Sequence, residues 1–141
     1  MRMTDPAPTR APITARRIIE IVAHHTGVTV AEIKGPRRFP QFVNARHTAT
    51  LLIRQYRPDL SYPQIGRLLG GRDHSTIIHG QRLIMDRLRR DPDLQEAAEH
   101  AEFDVVYEAL HARAMAVVEL TLEKHVIHVS PEALDRGECV G

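Results

Sequence analysis

Tryptophan is absent from this chain of 141 residues, and aromatic residues make up only 4% of it. A surface that stacks unpaired bases on aromatic rings is therefore not expected. There is one cysteine, Cys139. That excludes an internal disulfide and makes the cytoplasm the expected compartment. No apolar run approaches the ~20 residues needed to cross a bilayer, so no membrane partner is expected. The opening MRMTDPAPTRAP lacks the apolar core of a secretory signal. What remains, 43% hydrophobic and 26% charged residues, suits one soluble globular domain.

The formal net charge of +1 conceals a division. Residues 1–90 hold 16 Lys and Arg against 6 Asp and Glu, whereas residues 91–141 hold 3 against 12. A basic part followed by an acidic part fits a polyanion-binding module with an acidic appendage. Two solvated faces would give the same totals.

The patterning is helical throughout, and predicts an all-α fold. Residues 1–12 read as a flexible arm around Pro6, Pro8 and Pro12. Ala15, Ile18, Ile19, Val22 and Thr26 follow a helical period that Gly27 stops. Thr29 and Glu32 have capping-box spacing for a short helix ended by Gly35-Pro36. Residues 35–41, GPRRFPQ, read as a loop. A third helix is expected from about Val43 to Arg57, with Asn44 as its cap. Its apolar stripe is Ala45, Ala49, Leu52, Ile53 and Tyr56; Arg46, His47, Thr50 and Arg54 form its polar face. Ser61-Tyr-Pro-Gln64 opens a helix with Ser61 as cap and Pro63 in the first turn. Gly70-Gly71-Arg72 is a turn, and Asp73 caps a helix to about Arg90. Beyond Asp91-Pro92-Asp93 a helical period runs from Leu94 to Leu120. Val126–Val129 is too short to assign, and residues 130–141 read as a tail.

The helix 73–90 has two unlike sides. Ile77, Ile78, Ile84, Met85 and Leu88 share one that is expected to be buried. Ser75, Thr76, His79 and Arg82 share the other, which offers donors and acceptors rather than the Lys/Glu mixture of a solvated face. A short helix and a glycine-rich turn precede it, as in a helix-turn-helix. In that motif the start of the second helix reaches the bases. Asp73 can accept from a base amino group, His74 can donate to a purine acceptor, and the Thr76 methyl can meet a thymine methyl. Arg37 and Arg38 sit in a proline-bounded loop suited to a minor groove or to phosphates. Arg46 and the amides near Tyr62 are further candidates for phosphate.

The run Gly70-Gly-Arg-Asp-His-Ser-Thr-Ile-Ile-His79 resembles the signature of the C-terminal DNA-binding domain of the bacterial replication initiator DnaA. Ser61–Gly66, the Arg37-Arg38 loop and Asn44-Ala-Arg-His47 fall in the same order and at the family's spacing, and the resemblance covers roughly residues 13–100. It implies a minor-groove role for Arg38 and a DNA contact for Arg46. It also implies major-groove reading by Asp73, His74, Ser75 and Thr76, with Pro63 and His79 in or beside the backbone contacts. The implied site is the DnaA box, nine base pairs rich in A·T. Arg72 belongs to the signature run. There are departures. Pro36 and Pro40 interrupt a loop that is normally more basic, His47 stands where Gln is usual, Ser75 replaces Thr, and Leu83 stands where Lys is common.

Enzymatic readings find little support. The glycines of 66–73 lack the Lys and Ser/Thr of a phosphate loop, so no ATP hydrolysis is expected. Asp73, His74 and Ser75 are consecutive and point about 100° apart, which rules out a relay. The nine histidines show no metal-ligand spacing, so neither metal nor cofactor is expected. The organisation expected is a small helical bundle at 13–100 with a helical acidic extension at 101–129. Three roles fit: a nucleoid-associated regulator at DnaA-box-like sites in double-stranded DNA, acting on replication initiation or transcription; an adaptor whose acidic helix binds the initiator or its regulators; or a dimeric repressor with Ala97, Ala101, Val105, Ala109 and Leu120 as its seam. The same stripe, at least over 94–105, would equally pack on the domain's own core.

Overall fold

The computed structural model describes residues 13–125, which form six α-helices and no strand. These are α1 (Ala15–Thr26), α2 (Val30–Lys34), α3 (Pro40–Tyr56), α4 (Tyr62–Leu68), α5 (His74–Arg90) and α6 (Pro92–His125). The all-α expectation holds. The arm at 1–12, the segment Val126–Val129 and the tail at 130–141 lie outside the described residues.

Local chemistry sets most of the boundaries. The Thr14 hydroxyl accepts from the Arg17 amide, and Gly27 takes the left-handed conformation (φ 77°) that closes α1. Thr29 with Glu32, and Ser61 with Gln64, form complete capping boxes. Asp91 ends α5 and then caps α6, its Oδ1 accepting from the Leu94 amide at 3.1 Å.

One boundary differs. Helix α3 begins at Pro40, three residues before the expected start, because proline at the first helical position lacks only an N–H that would have had no helical partner. Asn44 is therefore inside the helix rather than its cap, and its Oδ1 accepts from Arg87 Nη1 at 2.7 Å, tying α3 to α5.

The core is built where α1, α3 and α6 meet. Ile18, Ile19 and Val22 pack with Ala45, Ala49 and Ile53 and with Ala101 and Val105, all buried. Burying each Ile contributes about 1.5–3 kcal/mol. Ile65 and Leu69 of the α4 region and Ile77 of α5 extend this core and seat the helix pair on it. Met85 is 47% exposed, not buried as its place in the apolar stripe suggested; the stripe of α5 is narrower and centres on Ile77, Gly80 and Ile84.

Helix α6 runs unbroken through position 100, and Ala101 and Val105 belong to the core, so the stripe over 94–105 does pack on the domain itself. Its carboxylates join it to the other helices. Glu108 accepts three bonds from Arg17, Asp104 meets His25 Nε2 at 2.6 Å, and Glu102 accepts from the Tyr56 hydroxyl at 2.6 Å. These acidic groups thus attach to α1 and α3 rather than to the basic loop at 36–38.

Candidate nucleic-acid interface

Helices α4 and α5 are joined by the sharp turn Leu69–Asp73. The Gly66 carbonyl accepts from the amides of Gly71 (2.9 Å) and Arg72 (2.8 Å). Gly70 and Gly71 both have positive φ, at 92° and 80°, which side-chain-bearing residues adopt only with strain. At Gly66 a Cβ would stand 2.0 Å from the Arg72 carbonyl oxygen, so the turn closes only on glycine.

This turn points the start of α5 at solvent. Asp73, His74, Ser75 and Thr76 are exposed, as are His79 and Arg82 one and two turns on, while Ile77, Gly80 and Ile84 face inward. Asp73 caps the helix: one carboxylate oxygen accepts from both the amide and the hydroxyl of Ser75. Those bonds hold its carboxyl below the usual carboxylate range. The other oxygen lies 3.8 Å from His74 Nδ1.

Beside α5 lies a cleft of about 670 Å³. Its walls come from four parts of the chain: the loop from Lys34 to Arg38, the start of α3 with Arg46 and His47, the turn at Gly70 and Arg72, and Thr76 and His79 of α5. Cations dominate it, and they suppress one another. Arg46 is pushed down to about 10, chiefly by burial and then by Arg72 and Arg38. Arg72 is lowered by burial and by Arg38. His47 is pushed down to about 4, again by burial first and then by Arg46, Arg87, His79 and Arg72. Elsewhere the described arginines Arg16, Arg17, Arg57 and Arg90 pair with carboxylates. Among the described residues, none of the cleft's Arg38, Arg46 and Arg72 does, nor does Arg37 beside it. A concave site with several cations and no bound acid favours an anionic occupant.

The structure separates the residues singled out above into two groups. Arg37, Arg38, Pro63, Asp73, His74, Ser75, Thr76, His79 and Arg82 are exposed. The others are anchored. Arg46 was expected on a polar face with Thr50, yet both are buried. The Arg46 guanidinium lies under the loop, donating to the carbonyls of Ile33 (2.6 Å), Gly35 (3.1 Å), Arg37 (3.2 Å) and Glu32 (3.3 Å). Arg72 donates to the carbonyls of Lys34, Leu69 and Gly35, fastening the same loop to the helix-turn-helix turn. Together they hold the segment that carries Arg37 and Arg38. Tyr62 is half-buried, with Arg54 4.5 Å above its ring and its hydroxyl donating to Gln81 of α5. The capping box occupies the amides of Ser61 and Gln64, and Pro63 has none, which leaves few backbone donors at that helix start.

Two contributors were not foreseen from the sequence. Lys34 lines the cleft from the end of α2. Gly80 lets α3 and α5 approach: a Cβ there would stand 2.4 Å from the His47 ring. A glycine in the middle of an otherwise strong helix was the available signal.

Residues 15–84 match the family model for the bacterial DnaA protein helix-turn-helix. This part of the chain is a DnaA-type helix-turn-helix domain. The relatives it is similar to include the chromosomal replication initiator protein DnaA of Pelobacter propionicus, 39% identical over 90 residues, which is 64% of this chain and 20% of that protein. The same initiator from Corynebacterium jeikeium is 36% identical over 88 residues, 62% of this chain and 15% of its own length. That from Picosynechococcus is 40% identical over 75 residues, 53% of this chain and 16% of its own. The chain thus corresponds to about one fifth or less of these three relatives. The matched span of the DnaA family contains every residue of the cleft described above. Among the described residues no helix is long and apolar enough to cross a membrane.

Proposed function

We propose that the chain binds double-stranded DNA at DnaA-box-like sites and thereby regulates replication initiation or transcription. The observation that carries this reading is the outward start of α5, with His74, Ser75 and Thr76 exposed, beside a cleft of cations that lack acidic partners. Side chains at that helix start enter the major groove in a helix-turn-helix complex. Arg37 and Arg38, on their anchored loop, then reach the neighbouring minor groove, whose negative potential attracts arginine. Arg82, two turns along α5, lies toward the sugar-phosphate backbone. Arg46 and Arg72 act from behind, by fixing the loop rather than by touching bases.

Fluorescence-anisotropy titrations of a DnaA-box duplex and a scrambled duplex at two salt concentrations test the proposal. The box is bound more tightly. His74→Ala loses about 1–3 kcal/mol on the box and little on the scrambled sequence. Arg38→Ala weakens binding and reduces the salt slope by about 1. Equal affinity for both duplexes would contradict sequence recognition and favour an adaptor that acts on the initiator or its regulators through protein contacts.

A further inference from the structure

The side of α6 that faces the core ends at about Ala109, yet the helix continues to His125. At 100° per residue, Phe103, Tyr107, Leu110, Ala114 and Val117 lie on the side opposite Leu94, Ala101 and Val105. That outward side is apolar and bare: Phe103 is 69% exposed and Tyr107 62%. Past Ala109 the side that faced the core turns acidic, with Glu119 and Glu123 in its direction, while the outward side stays apolar. An apolar helix segment of this length is only marginally stable alone in water and draws its stability from packing.

We propose that this outward face pairs with the same face of a second copy of the chain, the two α6 helices running antiparallel. Five large apolar residues on this side, Phe103, Tyr107, Leu110, Val117 and Val118, are exposed. At roughly 100 Å² each they offer on the order of 500 Å² per copy, about 1,000 Å² for the pair, the lower limit of a specific interface and the size expected of a dimer that dissociates on dilution. Such a patch exceeds the isolated apolar spots of an ordinary monomer surface. A two-fold axis makes one stripe complementary to itself. With the axis at Ala114, this small side chain lets the backbones approach, and Leu110 of each copy meets Val117 and Val118 of the other. A parallel pair would instead set the two acidic stretches from Glu96 to Glu102 against each other, where like charges repel.

Sedimentation equilibrium of the full chain tests this independently of DNA binding. The expected mass is twice the 16.0 kDa of one chain, falling to one chain on dilution. Leu110→Glu with Val117→Glu gives one chain at every concentration; both side chains are exposed in the single molecule, so the folded domain is retained. In a Cys139→Ser background, Ala114→Cys oxidises to a linked dimer and Phe103→Cys does not. A wild-type chain that stays monomeric overturns the proposal and leaves the face to another protein or to the rest of this chain. So does a double variant that still dimerises, an assembly larger than two, or ready self-linking through Phe103→Cys.

Discussion

Replacing Arg46 by alanine distinguishes a surface contact from a buried anchor. The guanidinium serves four carbonyls, those of Ile33, Glu32, Gly35 and Arg37, and the residue is 4% exposed. A hydrogen bond involving a charged group contributes about 1.5–3 kcal/mol, and a carbonyl left without a partner costs further. Water entering the vacated space recovers part of this, since the loop lies near the surface. Removing the charge also lifts the burden that lowers Arg46 to about 10. The expected net loss is about 2–4 kcal/mol, well outside the ±0.5 kcal/mol of an ordinary surface change. For a domain of this size it lowers the melting temperature by at least about 8 °C. Arg46→Lys recovers less than half, because a single ammonium cannot reach four spread carbonyls. Urea unfolding followed by circular dichroism, with DNA titrations in parallel, provides the readout. If Arg46→Ala weakens DNA binding while unfolding free energy stays within about 0.5 kcal/mol of wild type, the anchor is refuted and direct contact is restored.

Three further outcomes follow from the same geometry. Because His47 has its protonation pushed from 6.5 down to about 4, the unfolded chain binds the extra proton between these values, and stability falls as pH drops through that window. The slope is at most about 1.4 kcal/mol per pH unit for one proton, less for a partly solvated ring; urea midpoints at pH 7, 5.5 and 4.5 show it relative to His47→Gln, and a constant gap between the two proteins would count against it. Gly80→Ala drives a methyl into the His47 ring and destabilises by about 1–3 kcal/mol, most of it relieved in a His47→Ala background; additive losses would mean the two helices do not meet there. Asp73 is held below the ordinary carboxylate range by Ser75, so the stability it contributes is present above pH 3.8 and fades as pH falls through its lowered value; the melting-temperature gap between wild type and Asp73→Ala therefore narrows in acid, and a gap that widens would refute the cap.

The helix limits were legible wherever a side chain satisfies a neighbouring amide. Thr29, Ser61 and Asp73 each do so within three residues, and Gly27 marks its helix end by backbone freedom alone. The start of α3 was not, because Pro40 can interrupt a helix or begin one, and the choice depends on what precedes it. The exposure of residues 73–76 was also legible, since a two-sided helix after a glycine turn has one way to bury its isoleucines. The position of Arg46 was not. Its partners are carbonyls 9 to 14 residues earlier in the chain, and a carbonyl carries no residue-specific mark in the sequence. The same holds for Arg72, which reaches back to Lys34 and Gly35. The outer side of α6 was not read from the sequence: the spacing singled out the stripe through Ala101 and Val105, and only the fold shows that this stripe fills the core and leaves Phe103 and Tyr107 outward.

Chemical footprinting on a DnaA-box duplex tests the central arrangement most directly, because dimethyl sulfate reports guanine N7 in the major groove and hydroxyl radicals report the minor groove. The start of α5 shields the major-groove positions of the box, and the Arg37–Arg38 loop shields an adjacent minor-groove stretch. His74→Ala lifts the first protection and Arg38→Ala only the second. A single continuous footprint that both substitutions weaken alike, or no protection in the major groove, would contradict the arrangement.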